Sequence, residues 1–281
     1  MDALRWSDHP TLRRPVLVAA FEGWNDAADA ATTAARYLAR SWSARPFADL
    51  DPEEFFDFTA TRPQVLLDEG TGRNIEWPAN TFTSAALPGR PRDVVFLHGT
   101  EPQLRWRTFS EVVANTARAL GVELVVTLGA LLADVAHSRP VRVTGTAADP
   151  QLVARLGLRP SRYEGPTGIV GVLHDNLSRA GIPSASLWAT VPHYVGQTPS
   201  PKATLALVER TASLLGTGIE PVDLHIASSA YERQVTELVE ADEEAATYVA
   251  QLEQADEEED EMPSGDALAA EVERYLRDHD D

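Results

Sequence analysis

From residue 15 to residue 215, short apolar runs that end in polar turns alternate with stretches of helical periodicity. Residues 16–21 are apolar throughout and enter the turn Glu22, Gly23, Trp24, Asn25, Asp26; residues 27–39, which follow, hold neither Gly nor Pro. This predicts a buried strand over 15–21, a tight turn and a helix over 27–40. Further strands are predicted over 93–97, ending at His98 and Gly99, and over 123–128, ending at Gly129. Others are predicted over 141–146 and 185–191, the last ending at Pro192, His193 and Tyr194. Helices are predicted over 109–120, stopped by Gly121, over 150–156 with Asp149 as N-cap and Pro150 first, over 169–180, and over 201–215 with Ser200 as cap. Residues 55–59, 73–77 and 81–83 alternate in part, which predicts a β-rich excursion. Strands alternating with helices imply an α/β fold with a mainly parallel sheet covered on both faces.

Beyond residue 222 the pattern changes. Val235, Leu238, Asp242, Ala245, Val249 and Leu252 recur at spacings of three and four, beside Val239 and Ala246, as one narrow helical stripe interrupted by Asp242. Such an arm would pack on its own body or on a neighbouring subunit. Six consecutive acids at 256–261, followed by Pro263, Ser264 and Gly265, predict a flexible link. Leu268, Val272, Tyr275 and Leu276 suggest a last short helix. The expected organisation is a body over 1–222 and an acidic helical extension over 223–281, with its flexible stretch near 256–265.

Charge sharpens that boundary. The net charge is −19, yet residues 1–222 hold 23 acidic and 21 basic side chains, against 20 and 3 in residues 223–281. An acidic extension repels nucleic acid and anionic membranes, and suits a partner with a basic surface. With 43% hydrophobic residues among 281, the chain has ample core material. It has no cysteine, which excludes disulfides and thiolate chemistry. No apolar run is long enough to span a bilayer, and the start lacks a basic-then-apolar leader. A cytoplasmic protein is expected.

The candidate chemistry gathers at the strand ends. Glu22, Asn25 and Asp26 beside Trp24 would suit acid–base work or a metal; alternatively, Asn25 or Asp26 caps the helix and Trp24 packs over the sheet edge. His98, Glu101, Gly129, His193 and Tyr194 would line the same rim if their strands share one sheet. The loop over 163–168, with Gly165 and Thr167, precedes a helix and could hold an anion on free amides; Thr167 also reads as a simple cap. The phosphate-loop, dinucleotide, nucleophile-elbow and His-Glu-x-x-His signatures do not occur. No metal or cofactor is expected.

Four blocks carry a family resemblance: residues 21–27, 128–134, 163–173 and 186–194, the last with Pro199, Ser200, Pro201 and Lys202. In this order they resemble the proteasome assembly chaperone 2 (PAC2) family in its actinobacterial branch. The resemblance implies a three-layer α/β/α sandwich akin to the purine nucleoside phosphorylase fold. It also implies self-association, with a trimer the first expectation, and a non-enzymatic, chaperone-like role linked to proteasome assembly. The alternative is a small-molecule binder or enzyme on that fold, using the polar rim. Family members dock on the proteasome partly through a terminal hydrophobic-Tyr-any residue tail; here five residues follow Tyr275 and Leu276. Docking through such a tail is therefore not expected.

Overall fold

The computed structural model describes residues 3–68, 72–160 and 163–261. The last expected helix, at Leu268 to Leu276, lies outside them, as do positions 262–265 of the expected link. In chain order the elements begin β1 (Leu4–Trp6), β2 (Val16–Glu22), α1 (Ala30–Ser41), β3 (Arg45–Leu50), α2 (Pro52–Phe55), β4 (Gln64–Asp68), β5 (Gly72–Glu76), β6 (Asn80–Ala85) and β7 (Val94–Thr100). Next come α3 (Trp106–Ala119), β8 (Leu124–Ala133), β9 (Val143–Ala147), α4 (Pro150–Leu156), β10 (Arg159–Pro160), α5 (Ile169–Arg179), β11 (Ser184–Pro192) and α6 (Pro201–Leu215). Two final helices, α7 (Val222–Glu240) and α8 (Glu243–Glu261), follow.

Nine strands form one sheet in the order β1-β3-β6-β7-β2-β8-β11-β9-β10. Its centre, β7-β2-β8-β11, is parallel, while β6, β3 and β1 extend one flank antiparallel. β4 and β5 form a separate hairpin.

β2 shows why the sheet is covered twice. Its side chains point to alternate faces: Val16, Val18 and Ala20 join one core with α1 and α6, and Leu17, Ala19 and Phe21 join another with α3 and α5. The first face is built from small residues, matched by Ala30, Ala31, Ala34 and Ala35 of α1. The second takes bulk, with Phe21 edge-on to Phe109 at 5.7 Å and Phe55 edge-on to the same ring at 5.2 Å. The result is an α/β/α sandwich.

The expected helices form as predicted where caps were legible. Asp149 accepts from Gln151 N and Ser200 from Ala203 N, each with Pro in the first turn. Several expectations need correction. Residues 55–59 end a short helix and turn instead of forming a strand, because Asp51 caps Pro52–Phe55 and Asp57 accepts from Thr59 N at 2.8 Å. β3, which carries Pro46, was not anticipated. His98 and Gly129 lie inside β7 and β8 instead of after them, since both strands continue past the apolar run. The stripe from Val235 to Leu252 is two helices, not one. Asp242 stands between them and accepts from Glu244 N at 2.9 Å and Ala245 N at 3.1 Å, so the residue that breaks the stripe caps the next helix. Val235, Val239, Tyr231 and Val249 then pack with Ala136 in a small third core. The backbone of the acidic positions 256–261 continues α8.

Candidate functional site

Three chain segments meet where β2 and β7 end. Glu22 closes β2; one carboxylate oxygen accepts from Arg36 of α1 and the other from Thr100 Oγ1 at 3.0 Å. The adjacent turn reverses sharply at Gly23, whose φ of 115° is open to glycine alone. Asn25 is buried: its carbonyl accepts from Ala130 N of β8 at 2.8 Å, and its amide donates to Glu101 Oε1 at 3.1 Å. The same Glu101 oxygen accepts from Ile169 N, the first amide of α5, at 2.8 Å. A Cβ on Gly168 would strike Asn25 Nδ2 and lie 2.6 Å from Glu101 Oε1. That glycine is what lets the loop over 163–168 close on the rim.

Asp26 is buried at the start of α1. Its carboxylate accepts from Ala31 N at 2.6 Å, from Thr32 N at 3.3 Å and from the Thr32 hydroxyl. Burial pushes its pKa up to about 6, against the lowering effect of those donors. The capping alternative for Asp26 therefore describes its contacts. The turn it pins holds Ala28 and Asp29 in the left-handed region, at φ 54° and 52°, a conformation costing about 1–3 kcal/mol per residue. Ser200 N donates to Ala28 O at 3.0 Å and holds this turn from α6. Trp24 does not pack over the sheet edge: it is 63% exposed.

His98 faces α1 from within β7. Burial lowers its pKa, and Arg36 lowers it further against the opposing field of Glu22. Gly129 sits opposite Trp188 in the β8–β11 register; a Cβ there would come within 2.5 Å of the indole. Gly165 and Thr167 are exposed, and Tyr163 donates its hydroxyl to Pro166 O at 2.9 Å. Thr167 is not the cap, for the N-cap of α5 is Gly168 and Glu101 takes the free amide instead.

His193 and Tyr194 belong to a second cluster. His193 Nδ1 lies 3.2 Å from Asp134, and its ring meets Tyr248 of α8 edge-on at 5.5 Å. The Tyr194 hydroxyl accepts from His137 N at 2.8 Å and lies 2.8 Å from His137 Nδ1, whose Nε2 reaches Thr236 Oγ1 of α7 at 3.0 Å. Burial raises the Tyr194 pKa to about 12. Lys202, the sole lysine of the chain, donates to His137 O at 2.6 Å and to Glu232. These contacts tie α6, α7 and α8 to the end of β8.

Sequence reasoning missed His137 and His174, and noted Lys202 only as part of a family block. His174 of α5 lies 2.8 Å from Thr127 Oγ1 and 2.7 Å from Ser186 Oγ through Nε2, and 2.8 Å from Ser184 Oγ through Nδ1. Enclosure holds its pKa down at about 4. The uniqueness of Lys202 was the one available signal; His174 falls on an ordinary helical face. Among the described residues, no group of three or more His, Cys, Asp or Glu side chains is placed to hold a metal, and no helix is long and apolar enough to cross a membrane.

Comparison with known proteins sets this site in context. A PAC2 family model matches residues 20–239. A crystal structure of a PAC2 family protein from Streptomyces avermitilis is 49% identical, with TM-score 0.78, covering 84% of this chain and 99% of that one. The Mycobacterium tuberculosis proteasome-assembly chaperone homologue Rv2125 is 46% identical, with TM-score 0.76 over 83% of this chain and 99% of its own. PbaB from Pyrococcus furiosus, an archaeal proteasome activator, shares the fold at 18% identity, with TM-score 0.70 over 84% and 97% of the two chains. No curated protein matches. The matched span runs from the end of β2 to the last turn of α7, taking in the rim and the second cluster apart from Tyr248, and the chain belongs to the PAC2 family.

Proposed function

We propose that the protein is a non-enzymatic, self-associating interaction protein of the proteasome-assembly chaperone type. In this reading it works in the cytoplasm as a trimer and presents the strand-end rim to a partner protein. Residues 1–222 act as the body and 223–281 as its acidic extension. The observation that carries this reading is how the rim carboxylates are used. Glu22 is held by Arg36 and Thr100, Asp26 by the first amides of α1, and Glu101 by Asn25 and Ile169. Each carboxylate serves the fold as an acceptor. At the same end of the sheet Trp24, Tyr163 and Leu132 stay 63%, 68% and 49% exposed. Exposed aromatic residues beside apolar ones are the chemistry of protein interfaces. The naming of the Mycobacterium tuberculosis relative as a proteasome-assembly chaperone homologue supports the same class.

The test is retention of protein partners from cell extract by the full chain and by a Trp24→Ala/Tyr163→Ala variant, with light scattering for mass. Wild type should retain a partner and run as a trimer, and the variant should lose the partner at an unchanged melting temperature. Equal retention by both forms would refute the role of the rim. A thermal shift with nucleosides, phosphate, amino acids or divalent metals, without partner retention, would favour the enzyme reading instead.

A further inference from the structure

The contacts that join α6 and α7 to the end of β8 leave a small cavity between these elements. The chain from 135 to 142, which follows β8, forms one wall, Thr190 and Pro192 of β11 another, and the head of α6 and Tyr231 of α7 complete it. Its volume of about 20 Å³ is room for one water molecule or one small ion.

One polar group in this wall is unused. Tyr231 is only 6% exposed, and its hydroxyl finds no hydrogen-bond partner among the described residues. Buried hydroxyls are almost always bonded, because an unmade bond costs the full desolvation of the group. Burial raises the Tyr231 pKa, and Ser200, close but beyond bonding distance, offsets the rise in part. The phenol therefore stays protonated at neutral pH and has a proton to donate.

The groups around it are donors too. The Ser200 oxygen accepts from Ala203 N at 3.2 Å, which leaves its own proton to give. Lys202 spends two of its three ammonium protons on His137 O and Glu232; the third has no partner among the described residues. Both side chains stand at the N-terminus of α6, a helix of 15 residues whose dipole puts positive charge at that end. Arg139 and Arg142 add their charge to the wall, although each binds other groups as well. Among the described residues no carboxylate lines the cavity; Glu232 meets Lys202 from α7. A water placed here would need acceptors for its own two protons. An anion takes all three donors and offsets the local positive charge.

We propose that the cavity binds one small monovalent anion, a chloride or the leading oxygen of a carboxylate, on the Tyr231 and Ser200 hydroxyls and the Lys202 ammonium. A phosphate or sulfate is too large to be enclosed there. The bound anion joins α6 and α7, so the second cluster is firmer in its presence. The site is separate from the strand-end rim and does not depend on self-association.

The test is the unfolding midpoint of the full chain in rising sodium chloride and, separately, sodium acetate, for wild type, Tyr231→Phe and Ser200→Gly. Phe fills the same space without the hydroxyl, and Gly serves as an N-cap nearly as well as Ser. General salt effects act on all three proteins and cancel in the comparison. A ligand bound by the folded state alone stabilises it by the factor 1 + [L]/Kd, about elevenfold at ten times Kd. Wild type should show that gain, and both variants should lose most of it. A gain in chloride that acetate does not reproduce identifies a halide as the ligand, and a larger gain in acetate identifies a carboxylate. Crystals soaked in bromide should show an anomalous peak beside the Tyr231 oxygen. Equal salt responses in the three proteins would overturn the proposal and leave water as the occupant. A bromide peak with no difference between the titrations would mean binding at crystal concentration only, and would overturn it as well.

Discussion

Lowering the pH should destabilise this fold through one imidazole. His174 is enclosed among the hydroxyls of Thr127, Ser184 and Ser186, and no cause other than burial shifts its pKa, which is lowered to about 4. The neutral ring satisfies all three contacts, donating through one nitrogen and accepting through the other. The unfolded chain offers an ordinary imidazole, which protonates near pH 6.5. As pH falls from 6.5 towards 4, the unfolded state takes up the proton first, and stability is lost across that window. Between pH 7 and pH 5 the linkage amounts to about 2 kcal/mol. The assay is urea unfolding of wild type and His174→Gln at both pH values. The buried Asp26 works in the opposite direction over much of the same range, but it is present in both proteins and cancels in their difference. Wild type should lose about 2 kcal/mol more than the variant. Parallel losses in the two proteins, or an NMR titration placing His174 near 6.5, would refute the reasoning.

Three further outcomes follow from the site. Asp26→Asn should remove a pH slope of the opposite sign. The raised carboxyl pKa makes the folded state the better proton binder between about pH 4 and 6, so this carboxyl contributes a fall of about 2 kcal/mol as pH rises through that window, read as the difference between wild-type and Asp26→Asn urea titrations, in which the His174 slope cancels. Gly168→Ala should force Asn25 and Glu101 apart and cost about 1–3 kcal/mol, read as a lower unfolding midpoint together with faster amide exchange at Ile169. Asp242→Ala removes the acceptor for Glu244 N and Ala245 N; a loss of about 1 kcal/mol is expected, with amide exchange rising in α8 and unchanged in α1.

Much of this architecture is legible in the sequence because its signals are local. Asp149 with Pro150 and Ser200 with Pro201 mark helix starts, and the apolar-rich runs of β2, β7, β8 and β11 mark strands buried on both faces. The misreadings at 55–59 and at Asp242 turn on local caps; the others occur where a partner far along the chain decides the outcome. β8 runs on past Gly129 because β11 pairs with it residue by residue as far as Ala133. The cap of α5 is supplied by Glu101, 68 positions earlier. His193 and Tyr194 face α7 and α8 instead of Glu22, since Tyr194 meets His137 and His193 meets Tyr248. Nothing near His174 in the sequence announces the hydroxyls around it, because Thr127, Ser184 and Ser186 reach it from two neighbouring strands.

The alternation along β2 has a further consequence. Its small-residue face lets the alanines of α1 approach the sheet closely, while its Leu17 and Phe21 face meets the aromatic rings of α2 and α3. The two helical layers share a backbone but no side chains. A void opened beneath one layer cannot be refilled from the other. Variation that resizes the aromatic half leaves the alanine packing of α1 alone but bears on the rim, through Phe21 beside Glu22 and through Ile169, whose amide Glu101 accepts from. Resizing the alanine side is thus expected to loosen the α1 layer alone, whereas resizing the aromatic side reaches the strand ends as well.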